Sequence, residues 1–84
     1  MKNKVLVKLI VPKINKTYNV YLHINKTVGN CIILLNKAVL DLNEDMYISS
    51  NTAELYNKKT GQKYESRLKI YQTDIRNFTE LVLI

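Results

Sequence analysis

One cysteine, one histidine, one proline and two glycines are all that this 84-residue chain holds of the residue types that most often mark special chemistry. Cys31 alone cannot form an internal disulfide, so the chain does not read as a stapled secreted scaffold. Cys31 and His23 do not make a metal-ligand set between them. Gly29 and Gly61 stand far apart, which leaves no glycine-rich phosphate loop. Among the carboxylates only Glu44 and Asp45 are adjacent, in a stretch that reads as a solvated turn, so no carboxylate pair sits in a credible cleft. Tryptophan is absent, and no apolar run approaches the roughly 18 residues a membrane span requires. The opening MKNKVLVKLIVP mimics a signal peptide, but its apolar run is short, broken by Lys8 and without a small-residue cleavage site. A cytoplasmic protein without direct membrane insertion is therefore expected. The Asn-x-Thr triplets at Asn15, Asn25 and Asn77 are then incidental.

What is present points to one small folded domain over residues 1–84. Hydrophobic residues make up 46% of the chain, too many for a disordered segment. A domain this short buries only about two thirds of its unfolded surface and must use its core efficiently. The formal charge of +6 admits nucleic acid or an anionic surface as partners without establishing either.

The pattern along the chain changes period twice. Val5, Val7, Leu9 and Val11 alternate with Leu6, Lys8 and Ile10, as in a strand with one apolar face. Pro12 ends it, since proline cannot donate to a ladder. PKINKT is a polar turn, and Tyr18, Val20, Leu22 and Ile24 mark a second half-buried strand that completes a hairpin. Thr27 then stands as an N-cap before a helix. From Val28 the apolar residues recur at 28, 31, 32, 35, 38, 39 and 42, within a sector of roughly 120°. The helix should end near Leu42, with Glu44 and Asp45 beyond it because carboxylates sit badly at a helix C-terminus. MYISSNT reads as a connector with one buried residue at Met46 or Ile48. AELYN and QKYE flank KKTG as a shorter hairpin whose turn needs Gly61 at positive φ. Ser66 is a candidate cap for one helical turn anchored by Leu68, Tyr71 and Ile75, and Thr79 to Ile84 alternates as a last strand.

The order ββαββ, a short helical turn, then β, with one helix covering one sheet face, defines an α+β ubiquitin-like β-grasp with a mixed sheet. The final strand is expected in the middle of that sheet, parallel to the first.

The segments KTYNVYLHINKTVGNCIILL, LYNKKTGQ and IRNFTELVLI resemble the YukD-like family, the small ubiquitin-like component of bacterial type VII (WXG100) secretion systems. The resemblance covers roughly residues 3 to 84. It implies the ubiquitin fold, no enzymatic activity, no cofactor, and a protein partner in the cytoplasmic part of a type VII secretion membrane component. Cytoplasmic localisation at the inner membrane face follows from that partner. One departure is Phe78, where many ubiquitin-like chains carry glycine. Ubiquitin-like modifiers need a flexible tail ending in Gly-Gly, and this sequence has no glycine after Gly61, so conjugation is not expected.

Candidate site residues follow from the strand parities. If Val5, Val7 and Leu9 face the helix, then Leu6, Lys8 and Ile10 face outward with Tyr21, His23, Tyr56, Val82 and Ile84. The resemblance gives this face its meaning, since ubiquitin binds most of its partners there. The bland alternative is that scattered surface apolar residues mean nothing. Ile33 and Leu40, seven apart and opposite the core stripe, form a second candidate face or lie buried under the connector; two exposed faces would favour homo-oligomers. Lys58, Lys59 and Lys63 make a possible basic patch, with Tyr56 and Tyr64 near enough to stack on bases. A basic nucleic-acid-binding module is thus the alternative function, weakened by the lack of an arginine cluster. Catalysis is not expected: Cys31 faces the sheet, His23 lies on its far side, and the sheet separates them.

Overall fold

The computed structural model describes residues 3–43 and 52–84. Strand β1 (Lys4–Val11) and strand β2 (Lys16–His23) form the N-terminal hairpin, followed by helix α1 (Val28–Leu42), the short strand β3 (Leu55–Asn57) and strand β4 (Glu80–Leu83). The sheet order is β2-β1-β4-β3. β1 pairs antiparallel with β2 and parallel with β4, so the last strand lies in the centre. This is the mixed sheet expected of a β-grasp.

Sequence alternation sets the core. Val7, Leu9, Val11, Leu55, Leu81 and Leu83 are all buried beneath the helix residues Val28, Cys31, Ile32, Leu35 and Val39. Two members of the expected helix stripe fall outside that core. Ala38 is exposed, and Leu42 is 69% exposed. Ala38 lies at one margin of the stripe and lines a groove beside β2, and Leu42 is the last residue of the helix. The expected connector residues Met46 and Ile48 lie outside the described residues, as do Glu44 and Asp45.

Both ends of α1 are tied by specific bonds. Thr27 caps the N-terminus by accepting the Asn30 N–H on its hydroxyl at 3.1 Å. The N–H groups of Val28 and Gly29, which a helix leaves without internal partners, donate to the carbonyls of Leu68 and Ser66 at 2.7 and 2.9 Å. A Cβ on Gly29 would stand 3.2 Å from the Ser66 carbonyl oxygen, so glycine permits this approach. At the other end the buried Asn43 donates its Nδ2–H groups to the Tyr18 hydroxyl (2.7 Å) and the Val39 carbonyl (3.1 Å), fastening the helix to β2.

The second hairpin is shorter than its sequence suggests. The turn forms with Gly61 at φ +73 and Asn57 Oδ1 accepting from the Lys59 and Thr60 N–H groups. QKYE, however, contributes only a single bridge, Tyr56 to Lys63, rather than a strand. The chain leaves the sheet there because the Ser66 and Leu68 carbonyls are used to cap α1. The helical turn that follows is a 3-10 turn over Ile70–Gln72, preceded by Lys69 rather than capped by Ser66. Its anchors are Ile70 and Ile75, both fully buried, whereas Tyr71 is exposed and Leu68 half-buried. The turn after Pro12 likewise forms a 3-10 helix, and its Ile14 is buried although the segment reads as polar.

Candidate functional site

The register resolves the outer sheet face into rows. Thr17, Ile10, Val82 and Tyr56 are successive partners across all four strands. Ile84, two residues beyond Val82 and half exposed, adjoins this row on the same strand parity, its backbone held by reciprocal bonds to Glu54 at 2.7 and 3.1 Å. The next row is polar: Asn19, Lys8 and Glu80 are partners, and the Lys58 ammonium lies 3.6 Å from the Glu80 carboxylate. Beyond it Tyr21 faces Leu6, and His23 faces Lys4.

The expected face is therefore two apolar patches with a charged row between them. Ile10, Val82, Tyr56 and Ile84 come together. Tyr21 and His23, with Leu6, are separated from them by Lys8 and Glu80. An outward sheet face in a two-layer fold is ordinarily polar. Here Ile10, Val82 and Tyr56 remain partly accessible, and no element among the described residues lies over them.

The other candidates fare differently. Ile33 is 68% exposed, but Leu40 packs against the core and is half-buried, so the two do not form one exposed face. A position seven residues on drifts about 20° around an α-helix, and that drift brings Leu40 closer to the buried stripe. Lys58, Lys59 and Lys63 are all exposed around the second hairpin. Tyr64, expected beside them as a stacking aromatic, is 7% exposed. Its hydroxyl donates to Asp74 Oδ1 at 2.6 Å and accepts from Asn57 Nδ2 at 3.0 Å. That side chain is a tie between the hairpin and the loop before β4, and it cannot stack on a base.

His23 and Cys31 are nearer than the parities suggest. Both line one groove where the open edge of β2 meets α1. Cys31 is nevertheless 2% exposed, and burial raises its thiol pKa, with Lys26 acting in the opposite direction. An activated cysteine requires the opposite, a depressed pKa with access to solvent. Among the described residues no group of His, Cys, Asp and Glu could hold a metal ion, and no helix is long and apolar enough to cross a membrane.

Phe78 is the feature that sequence reasoning flagged without resolving. It is 77% exposed and its φ is +71. Its N–H donates to the Leu6 carbonyl at 2.6 Å, and the adjacent Asn77 side chain accepts from the Leu6 N–H. These bonds hold a bulky residue in the left-handed region, where a Cβ costs about 1–2 kcal/mol. Phe78→Gly should thus raise stability by about 0.5–1 kcal/mol, the relieved strain exceeding the added entropy of glycine in the unfolded chain. Urea denaturation of the two proteins checks this, and a loss of stability would show that the side chain contributes packing that its exposure does not reveal.

This arrangement is the ubiquitin-like β-grasp fold. No family model matches the sequence, and no curated protein does. Among solved structures the chain resembles a subunit of the ESX-5 inner membrane complex without MycP5, with a TM-score of 0.82 and 15% identity over 98% of this chain. It spans about a fifth of that subunit, 21%. It is also similar to the ubiquitin-like domain of EccD5 from Mycobacterium xenopi (TM-score 0.79, 14% identity, covering 96% of this chain and 92% of that one). The ubiquitin-like domain of the Mycobacterium tuberculosis type VII secretion protein ECCD1 gives a TM-score of 0.73 and 9% identity over 96% and 97% of the two chains. At these identities the likeness concerns the fold, and it is consistent with the resemblance to YukD-like proteins drawn from the sequence.

Proposed function

We propose that this chain is a ubiquitin-like adaptor of type VII secretion that binds protein partners non-covalently, docking on a membrane component of the system from the cytoplasmic side. The observation that carries the reading is the partly accessible Ile10–Val82–Tyr56 row on a fold that ubiquitin-like domains of that system share. Tyrosine suits such a surface because it buries a large area at low entropic cost and keeps a polar handle. The flanking Lys8 and the hairpin lysines would steer an acidic partner and set the rate of encounter more than the final affinity. The basic-module alternative loses its stacking pair with the burial of Tyr64.

The test is a pull-down with the tagged protein from a detergent extract of its own cells, eluted by stepwise salt. A secretion-system membrane protein retained at high salt is the expected result. Nucleic acid released by modest salt with no protein partner would replace this reading with the alternative. With the partner in hand, Tyr56→Ala should weaken binding by at least about 1 kcal/mol while leaving the urea midpoint almost unchanged. Unaltered affinity in calorimetric titration would remove the row from the interface.

A further inference from the structure

A second surface lies at the opposite side of the sheet and owes nothing to the Tyr56 row. Among the described residues β2 is an outermost strand with β1 as its one neighbour. Which of its backbone groups face outward follows from two observations. The Ile24 N–H donates to the Asn3 carbonyl at 2.9 Å, which makes Ile24 and Asn3 a bonded pair. Bonded pairs recur at every second residue of an antiparallel ladder, so Leu22, Val20 and Tyr18 direct their N–H and C=O groups to β1. From β1, Leu6 accepts and Lys8 donates toward the β4 side, which agrees with that phase. Asn19 and Tyr21 therefore direct both backbone groups to the open edge.

Beside this edge runs a groove of about 400 Å³ between β2 and α1. Its apolar floor and far wall include Val20, Leu22, Cys31, Leu34 and Ala38. Leu34 is half exposed on the helix side. Lys4, Lys26 and His23 also line it, and among the described residues no carboxylate does. Among the described residues neither Lys4 nor Lys26 has an acidic ion-pair partner. The charge asymmetry reaches further, since the chain contains no Asp or Glu before Asp41.

We propose that this edge and groove take up an extended segment of a partner protein, which adds to β2 as a further strand. Its main chain pairs with Asn19 and Tyr21, its alternate apolar side chains enter the groove, and an Asp or Glu at one end meets Lys4 and Lys26. Unpaired strand edges favour an extended backbone over a helix, and alternate side chains of such a strand fall on one face, toward the groove. The basic lining requires an acidic flank. A second copy of this chain fits poorly, because its own β2 edge is equally basic and like charges oppose the pairing.

The test is selection of a phage-displayed library of random twelve-residue peptides on the full chain. The expected consensus alternates apolar residues and carries Asp or Glu at one end. The winning peptide, made synthetically, is then titrated calorimetrically against variants. Asn19→Pro removes only an outward N–H, so it should weaken binding at least tenfold. Leu34→Glu, at a half-exposed position, should do the same by a different route and stands if the proline variant folds poorly. Lys26→Glu should weaken binding several-fold, with a smaller difference at high salt, and Tyr56→Ala should have no effect. Selection without such a consensus overturns the proposal, as does a peptide lost with Tyr56→Ala but indifferent to Asn19→Pro. A dimer in light scattering that Asn19→Pro dissolves would assign the edge to a second copy instead.

Discussion

Leu81→Ala is expected to cost about 2–5 kcal/mol of stability, whereas Val82→Ala, the next residue along the same strand, should cost under about 1 kcal/mol. Leu81 is fully buried, registered against Leu9 of β1 and Asn57 of β3 in the centre of the sheet. Truncating it leaves a cavity that two flanking strands and the helix can only partly close. Val82 points the other way, into the row with Ile10 and Tyr56, and is partly open to solvent already. Its truncation should instead appear in partner binding. Urea denaturation of the two variants separates these roles. Equal destabilisation would mean that the outer face is covered, and the proposed binding row would go with it.

The same strand shows what could be read beforehand. A period of two over Thr79 to Ile84 determined which residues face the helix, and the helix bounds Val28–Leu42 followed from the Thr27 cap and the apolar spacing. Those are local patterns, and burial enforces them because a one-residue slip would expose the whole apolar set. The failures have a common cause. QKYE has strand composition, yet its continuation is diverted to cap a helix some forty positions earlier in the chain, a demand that no local window contains. Ile70 rather than Tyr71 anchors the following turn, a 3-10 segment of three residues that is too short to show a period.

The candidate site was legible in its parts rather than in its layout. Strand parity correctly places Ile10, Val82 and Tyr56 on one face, but the offset between strands decides which of them touch. The Lys8–Glu80 row divides the expected patch, and that division depends on the register of a parallel pair whose strands lie far apart in sequence. Parity also predicts that the sheet separates His23 from Cys31. Both residues nonetheless line the groove at the open edge of β2, the margin of the sheet. The positive φ of Phe78 was foreshadowed only by a missing glycine.

Tyr64 supplies the prediction in which stability depends on pH. Burial, reinforced by donation to Asp74, pushes its hydroxyl up to about 12, with the Asn57 hydrogen bond acting in the opposite direction. In the unfolded chain the same hydroxyl titrates near 10. Below about pH 10 both states carry the proton and this stabilisation is fully present. Between about 10 and 12 the unfolded state has lost the proton that the folded state keeps, so stability falls by roughly 1.4 kcal/mol per pH unit. Other groups titrate in the same range, and Tyr64→Phe isolates the contribution. At pH 7 that variant should be less stable by about 1 kcal/mol, because Asn57 loses its acceptor and Asp74 its donor. As pH rises past 10 the difference should shrink and then reverse, since phenylalanine has no proton to lose. A difference that stays constant to pH 12 would mean that the Tyr64 hydroxyl is solvated in the folded protein. The tie from the second hairpin to the loop before β4 would then be absent, and the position of β4 would rest on the sheet ladder alone.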